Sequence, residues 1–501
     1  MSRKKGVIFS YILMAVESVS SVLFTPYLIK CLGDAEYGIY GLVASITAYL
    51  YLLDLGVGNA LVRYIAKFRF NKDKKSEKNL MAITLVFYAS IAVLVITIGY
   101  LLTYFVPNIF GTGLSADEQL TAQSMLRITV LNASVTLLFS PMTKTLIAYE
   151  KFVLSKSIDI IKILVRVLLC CLFLYFGAKG VAVVSINLAT TIGGGLACTF
   201  YVLFKLRILP QFTKIETNFI KDVLGYSFFI LLQMIATQIN SMVDHILIGA
   251  IVASASVLLA IYTAGTQITQ YYQSFGSAIN GVLMPSVVKI VESNSSSDVI
   301  QNEMIKVSRL IFMFLGFIYT GFLVCGKTFM IKWAGEGYEG GYYVALIIML
   351  PMLFSLSQSI GSQVLWAMNK HQVQAYLKIG IAVANIFLTI ILIKWNPMLG
   401  AAIGTGIALL FGDVIVMNIV YSKYIHISMI QYYFGMIKGI IPCLIVSGLS
   451  GWAISFLQLK GWIYIIVVII VMCIVYAFTM LLYGLNPNEK NMFRRILIKS
   501  K

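Results

Sequence analysis

Asp159, Lys162 and Arg166 fall at spacings of three, four and seven inside one apolar run, from about residue 155 to 177, which puts all three on one face of a helix. At ~1.5 Å per residue, Arg166 lies about 17 Å along that run from Ser155, near its middle, with Lys162 one turn and Asp159 two turns nearer the start. A guanidinium there is a bidentate binder of anions, and the three residues form a cationic strip that a phosphate group could meet. The competing reading is local: Asp159 pairs with Lys162, which extends along its aliphatic stem toward water. Arg127 lies about 9 Å into the run 121–148, where extension to the surface competes with ligand binding.

The acids form a second set. Glu17 sits about 15 Å into the run 7–29 and nine residues before Pro26, where a missing hydrogen bond permits a bend. It can bind a proton or Na⁺ in one conformational state and release it in another, or it can neutralise Arg166 or Lys162. Asp54, Asp159 and Asp244 are further coupling candidates, although Asp54 also reads as a structural group bonding a neighbouring helix end, and Asp413 is similar. Gln233, Thr237, Asn240 and Asp244 make one polar stripe, with His245 beside it suited to a pH-dependent gate or to packing. Gln267, Gln270, Tyr271, Gln273 and Asn280 offer amides and an aromatic face to a hydroxyl-rich ligand such as a sugar. The alternative is that these side chains hold transmembrane helices together.

The elements that carry these residues are set by composition. Hydrophobic residues make up 59% of the 501 and charged residues 12%, with a mean hydropathy of +0.90, against about 25% charged in soluble domains. Runs of about 20 apolar residues, enough to cross a hydrocarbon core of about 30 Å, recur near 7–29, 39–62, 80–106, 121–148, 155–177, 180–204, 223–250, 254–288, 305–331, 342–368, 374–394, 398–421, 431–456 and 462–484. The expected fold is an all-α polytopic membrane protein of about fourteen transmembrane helices. With the N-terminus inside, 29 of the 38 Lys and Arg fall in inner segments and 6 in outer ones, so both termini are expected to be cytoplasmic. The net charge of +18 is then mostly topology, without the single basic patch that nucleic acid would require. The seven cysteines have no C-x-x-C pair and no histidine at ligand spacing, so neither a metal nor a disulfide frame is expected. The first run has an acid inside it and no small-residue cleavage site after it, so it reads as a retained helix.

A weak internal match at an offset of about 220 residues aligns Tyr37-Gly-Ile-Tyr-Gly with Leu259-Ala-Ile-Tyr-Thr. With it, spans one to six and seven to twelve become equal halves of one orientation, a parallel repeat. The expected divisions are a six-helix bundle over 1–210, a second over 211–425, and two further helices with a basic tail over 426–501.

Leu32-Gly-Asp-Ala-Glu-Tyr-Gly-Ile-Tyr-Gly-Leu-Val, followed by Leu53-Asp-Leu-Gly-Val-Gly-Asn-Ala-Leu-Val-Arg-Tyr-Ile-Ala-Lys, resembles the Wzx-type polysaccharide biosynthesis proteins. These are repeat-unit flippases for O-antigen and capsule in the multidrug/oligosaccharidyl-lipid/polysaccharide exporter superfamily. The resemblance implies two six-helix bundles around a central cavity in a bacterial cytoplasmic membrane. It implies alternating access, with undecaprenyl-pyrophosphate-linked oligosaccharide carried from the cytoplasmic to the outer leaflet under H⁺ or Na⁺ coupling. Polysaccharide polymerase and chain-length regulator are the implied partners, and no cofactor is implied. Lipid II flippases of the superfamily carry basic residues early in the first helix and in the eighth. Here the first span has Glu17, and the eighth has no Arg or Lys before Lys289.

Two other classes compete. A multidrug or metabolite extruder of the same superfamily would line its cavity with acids and aromatics for organic cations, against Arg166 and Lys162. A membrane glycosyltransferase or polymerase would carry carboxylates, His or Arg on a large loop. No Asp-x-Asp, nucleotide loop or Ser/His/Asp arrangement occurs, so an enzyme is not expected.

Overall fold

Inside a bilayer each backbone N–H and C=O must be bonded within the chain, so apolar runs of this length are helical. The computed structural model describes the backbone of residues 2–212, 217–292, 296–368, 370–487 and 489–490, and the described residues contain helices and no strands. In chain order the α-helices are α1 (Ser2–Leu32), α2 (Asp34–Leu50), α3 (Val57–Phe70), α4 (Lys74–Phe110), α5 (Ala116–Ala148), α6 (Phe152–Tyr175), α7 (Gly180–Phe200), α8 (Thr217–Ile251) and α9 (Ser256–Glu292). They continue as α10 (Ser297–Trp333), α11 (Glu339–Ser357), α12 (Ser359–Ala367), α13 (His371–Ile393), α14 (Pro397–Ala408), α15 (Met417–Ile425), α16 (Met429–Ile437), α17 (Ile440–Ile454) and α18 (Gly461–Thr479). Helix runs through all fourteen expected spans. Among the described residues eleven helices are long and apolar enough to cross a membrane. The remaining three spans depart from that standard in ways the sequence explains: α2 has 17 residues before the chain breaks, α6 carries Asp159, Lys162 and Arg166, and α9 is rich in glutamine and threonine.

Packing divides the chain into two compact units, Met1–Ala260 and Ile261–Lys501. The division falls inside α9, past the bundle boundary expected at residue 210, because the described part of α8 packs on α2, α3 and α4. The basic tail beyond residue 490 lies outside the described residues.

In the first unit α5 packs against α2, α3, α4 and α7. It starts with a capping box, in which the Ser115 hydroxyl accepts from the Glu118 N–H and the Glu118 carboxylate accepts from the Ser115 N–H. The outer part of the family motif builds this end of the unit. Gly33, at φ 77°, turns the chain from α1 into α2, and Glu36 Oε1 accepts from the Gly180 N–H at 2.9 Å. That carboxylate meets an unpaired amide at the positive end of α7. Gly38 lies so close to the first turn of α9 that an added Cβ would sit 1.9 Å from the Ser256 carbonyl oxygen. Backbone on both sides cannot give way, so Gly38→Ala is expected to cost ~1–3 kcal/mol and lower the melting temperature in detergent. Gly193→Ala on α7, where a Cβ meets open space, should leave it unchanged. Equal melting of the two variants would contradict the close-packing role.

In the second unit α10 packs against α11, α16, α17 and α18, so the last two spans are docked on it. Arg309 of α10 is 2% exposed. Its Nε donates to Glu489 Oε1 at 2.8 Å and its Nη1 to the carbonyls of Gly435 and Lys438 at 2.8 and 2.9 Å. Its Nη2 donates to the Gly484 carbonyl at 2.9 Å. A single side chain thus ties α10 to the end of α16, the Lys438-Gly439 turn and the stretch that follows α18.

Candidate functional site

The second part of the family motif breaks a helix. Leu55 and Gly56 both take left-handed conformations, with φ of 52° and 72°, which costs a leucine roughly 1–2 kcal/mol and suits glycine. The chain leaves α2 through a 3₁₀ turn, Tyr51–Asp54, and restarts as α3. Asp54 accepts a hydrogen bond from the Tyr88 hydroxyl of α4, which holds the break against the bundle. Asp54, a coupling candidate on sequence grounds, is here bonded to a neighbouring helix.

The break also places Tyr51. Its hydroxyl lies against Asn132 Nδ2 at 3.5 Å and borders a cavity of about 260 Å³. Asn132 and Thr136 of α5, Lys162 and Arg166 of α6, and Asn187 and Thr190 of α7 complete most of its wall. Lys162 Nζ stands 3.9 Å from Asp159 Oδ1, with the two side chains 38% and 32% exposed. At that distance and exposure the pair is worth little, so the local pairing expected from sequence is present but weak. Among the described residues no carboxylate lies within 4.0 Å of Arg166. The cavity therefore combines two cationic groups with neutral amides and hydroxyls, a donor-rich lining that suits a phosphate beside a polyhydroxylated group.

The other expected residues lie elsewhere. Arg127 is exposed on α5 and Glu17 is exposed on α1, and neither lines the cavity. Asp244 is buried on α8 with Tyr49 as an electrostatic neighbour, and His245 beside it is buried too. Gln267, Gln270 and Tyr271 belong to the part of α9 in the second unit, where Gln270 is exposed and the other two are half-buried. The side chain of Asn280 lies outside the described residues.

Sequence reasoning passed over Asn132, Asn187 and Thr190. The available signal was Asn132 and Thr136 at i, i+4, and Asn187, Thr190 and Thr191 at i, i+3, i+4: short polar stripes on otherwise apolar helices. In the second unit Lys378 Nζ, inside the expected span 374–394, stands 3.6 Å from Asp413 Oδ1, where Asp413 occupies a π-helical stretch, Leu409–Val416. Gln358 Nε2 donates to the Asp413 carbonyl.

At the far end of α5, Tyr149 donates to the Glu77 carboxylate and lies under the Arg69 guanidinium, 4.7 Å from ring centroid to Cζ. Burial, and then Glu77, push the Tyr149 phenol up, so it stays a donor through the physiological range. This cluster ties together the ends of α3, α4 and α5.

Comparison with known proteins agrees with this architecture. The chain is 24% identical over 428 residues to a curated protein of Escherichia coli (strain K12) named "Putative O-antigen transporter", covering 80% of this chain and 93% of that one. Its fold matches the lipid II flippase MurJ in an inward closed conformation at a TM-score of 0.72 and 15% identity, covering 98% of this chain and 99% of the other. It also matches an inward-facing multidrug resistance MATE family transporter of the MOP superfamily at 0.66 and 14% identity, over 83% and 99%. These relatives are named as transporters and flippases. With residues 4–291 of the 501 matching its family description, this multi-pass membrane transporter belongs to the polysaccharide biosynthesis protein family.

Proposed function

We propose that this protein flips an undecaprenyl-pyrophosphate-linked oligosaccharide from the cytoplasmic to the outer leaflet of a bacterial cytoplasmic membrane by alternating access. The observation that carries the reading is the pairing of Arg166 and Lys162 with uncharged amides and hydroxyls around one cavity. A pyrophosphate needs cationic donors, and a saccharide needs neutral donors and acceptors. An organic-cation extruder needs the opposite charge, which disfavours that alternative although the MATE fold is shared. The relative named for O-antigen transport supports the saccharide class. The 29-to-6 excess of inner cations supports cytoplasmic termini, and Glu17, exposed on α1, is the candidate for H⁺ or Na⁺ coupling.

The test is translocation in proteoliposomes holding the purified full chain and undecaprenyl-pyrophosphate-linked oligosaccharide, with outward-facing sugar read by an impermeant lectin. Accelerated exposure over protein-free vesicles is expected, together with no accumulation of ethidium against a gradient. Ethidium transport without sugar exposure would replace the flippase reading by the extruder one.

A further inference from the structure

Two oxygen atoms beside the cavity of the first unit have no partner among the described residues. Asn132 Oδ1 and Asn187 Oδ1 are buried, and no described donor reaches either. Their amide groups are otherwise engaged, Asn132 with the Tyr51 hydroxyl and Asn187 with Tyr40. Both residues line the cavity together with Lys162 and Arg166, and the positive field of those two groups favours amide oxygens over NH₂ groups near them. A buried acceptor without a donor is unfavourable, and two beside one cavity mark a place that awaits donors.

We propose that Asn132 and Asn187 form a sugar subsite that accepts from hydroxyl or acetamido N–H groups of the saccharide unit nearest the pyrophosphate. The assignment rests on the flippase reading above and adds where that reading's specificity resides. Size supports the phosphate-proximal unit: about 260 Å³ is below the roughly 300–1,000 Å³ typical of sites that enclose a drug-sized molecule. That volume suits one sugar with part of its phosphate and excludes a whole repeat unit. Covalent geometry supports it as well, because the sugar beside a phosphate held by Arg166 is the one joined to it. Both oxygens are buried, so the sugar reaches them by widening the cavity, and the two bonds gained favour the widened state. A site of this kind rejects analogues that lack the donor, since the buried acceptors then stay unpaired.

Binding to the full chain in nanodiscs tests this with three probes: undecaprenyl pyrophosphate, and the same lipid bearing a single N-acetylglucosamine or a single galactose. Wild type is expected to bind at least one sugar-bearing probe tighter than the sugar-free one. Asn132→Leu and Asn187→Leu should each weaken that probe by about fivefold to tenfold, the loss of one hydrogen bond, and leave undecaprenyl pyrophosphate within twofold. Melting temperatures should change little, because leucine removes the unpaired acceptor together with a single amide bond, to Tyr51 or to Tyr40. Serine at either position carries the same binding expectation should a leucine variant not fold. Equal weakening of sugar-bearing and sugar-free probes, unchanged binding of all of them, or a wild type blind to the sugar would overturn the subsite while leaving pyrophosphate recognition intact. A wild type that binds no probe, or an Arg166→Ala variant that binds undecaprenyl pyrophosphate as wild type does, would instead sink the flippase reading and the subsite with it.

Discussion

Arg166→Ala is expected to abolish translocation of the lipid-linked saccharide while the protein still inserts and accumulates at the wild-type level. A guanidinium within a transmembrane helix costs ~2.5–3.5 kcal/mol on insertion scales, so it persists because something in the working cycle offsets that cost. An internal acid would do so, but no described carboxylate lies within ion-pair distance of Arg166. Asp159, the same-face acid two turns away, instead faces Lys162 at 3.9 Å. Removing Arg166 therefore orphans no acid, and the folded protein should tolerate it. On the proposed reading, what is lost is a bidentate contact to phosphate, worth ~1.5–3 kcal/mol for a charged hydrogen bond, or roughly tenfold to hundredfold in binding. Arg166→Lys should recover only part of the activity, because an ammonium restores the charge but not the fork. The opposing outcome is specific. If Arg166→Ala lowers the amount of folded protein, and neutralising Glu17 or Asp159 restores both level and transport, Arg166 is scaffold.

The division between what could and could not be read from the sequence follows the range of the interactions involved. Helix positions were legible because each span must be apolar and internally bonded, whatever its neighbours. Interruptions within spans were harder. The run 39–62 reads as continuous, yet it breaks at Leu55 and Gly56, where Asp54-Leu-Gly held a signal in its glycine that the apolar flanks masked. The run 342–368 likewise divides between α11 and α12 at Gln358. The Asp159–Lys162–Arg166 face was legible because it lies on one helix, and two of its members do line the cavity. The partners from α5 and α7 were not, since which faces of three helices converge depends on packing between side chains far apart in sequence. The family motif shows the same limit. Its Gly33, Glu36, Gly38, Asp54 and Gly56 are distinctive as a pattern, but the contacts they make are a turn, the start of a neighbouring helix, a close backbone approach, a tyrosine bond and a break. Motif residues here build the frame around Tyr51, and the cavity's charge comes from outside the motif.

Arg309→Ala is expected to have the largest effect on stability. Counted by position alone, Arg309 is one more inner-side cation. In the fold it is buried, and it donates to both oxygens of Glu489 and to carbonyls of Gly435, Lys438 and Gly484. Alanine would leave a nearly buried carboxylate and four carbonyls, Met436 included, without this donor, and breaking a buried pair by removing one partner costs ~3–5 kcal/mol out of a typical total of ~5–15 kcal/mol. The damage should localise. Glu489 also accepts from the Asn486 N–H at 2.7 Å, so the segment after α18 loses its anchor along with the Lys438-Gly439 turn. Limited proteolysis of membranes should then cut near those two segments, and the protein should accumulate several-fold less than wild type. Arg309→Lys should rescue little, because one ammonium cannot span α16, the turn and the segment after α18 at once. Adding Glu489→Gln to Arg309→Ala should restore part of the level by removing the uncompensated charge. Wild-type accumulation and an unchanged cleavage pattern in Arg309→Ala would show that apolar packing of α17 and α18 on α10 suffices to dock them. Because Arg309 does not line the cavity, any variant at this position that does accumulate should flip its substrate at the wild-type rate per molecule, which separates the anchoring role from a transport one.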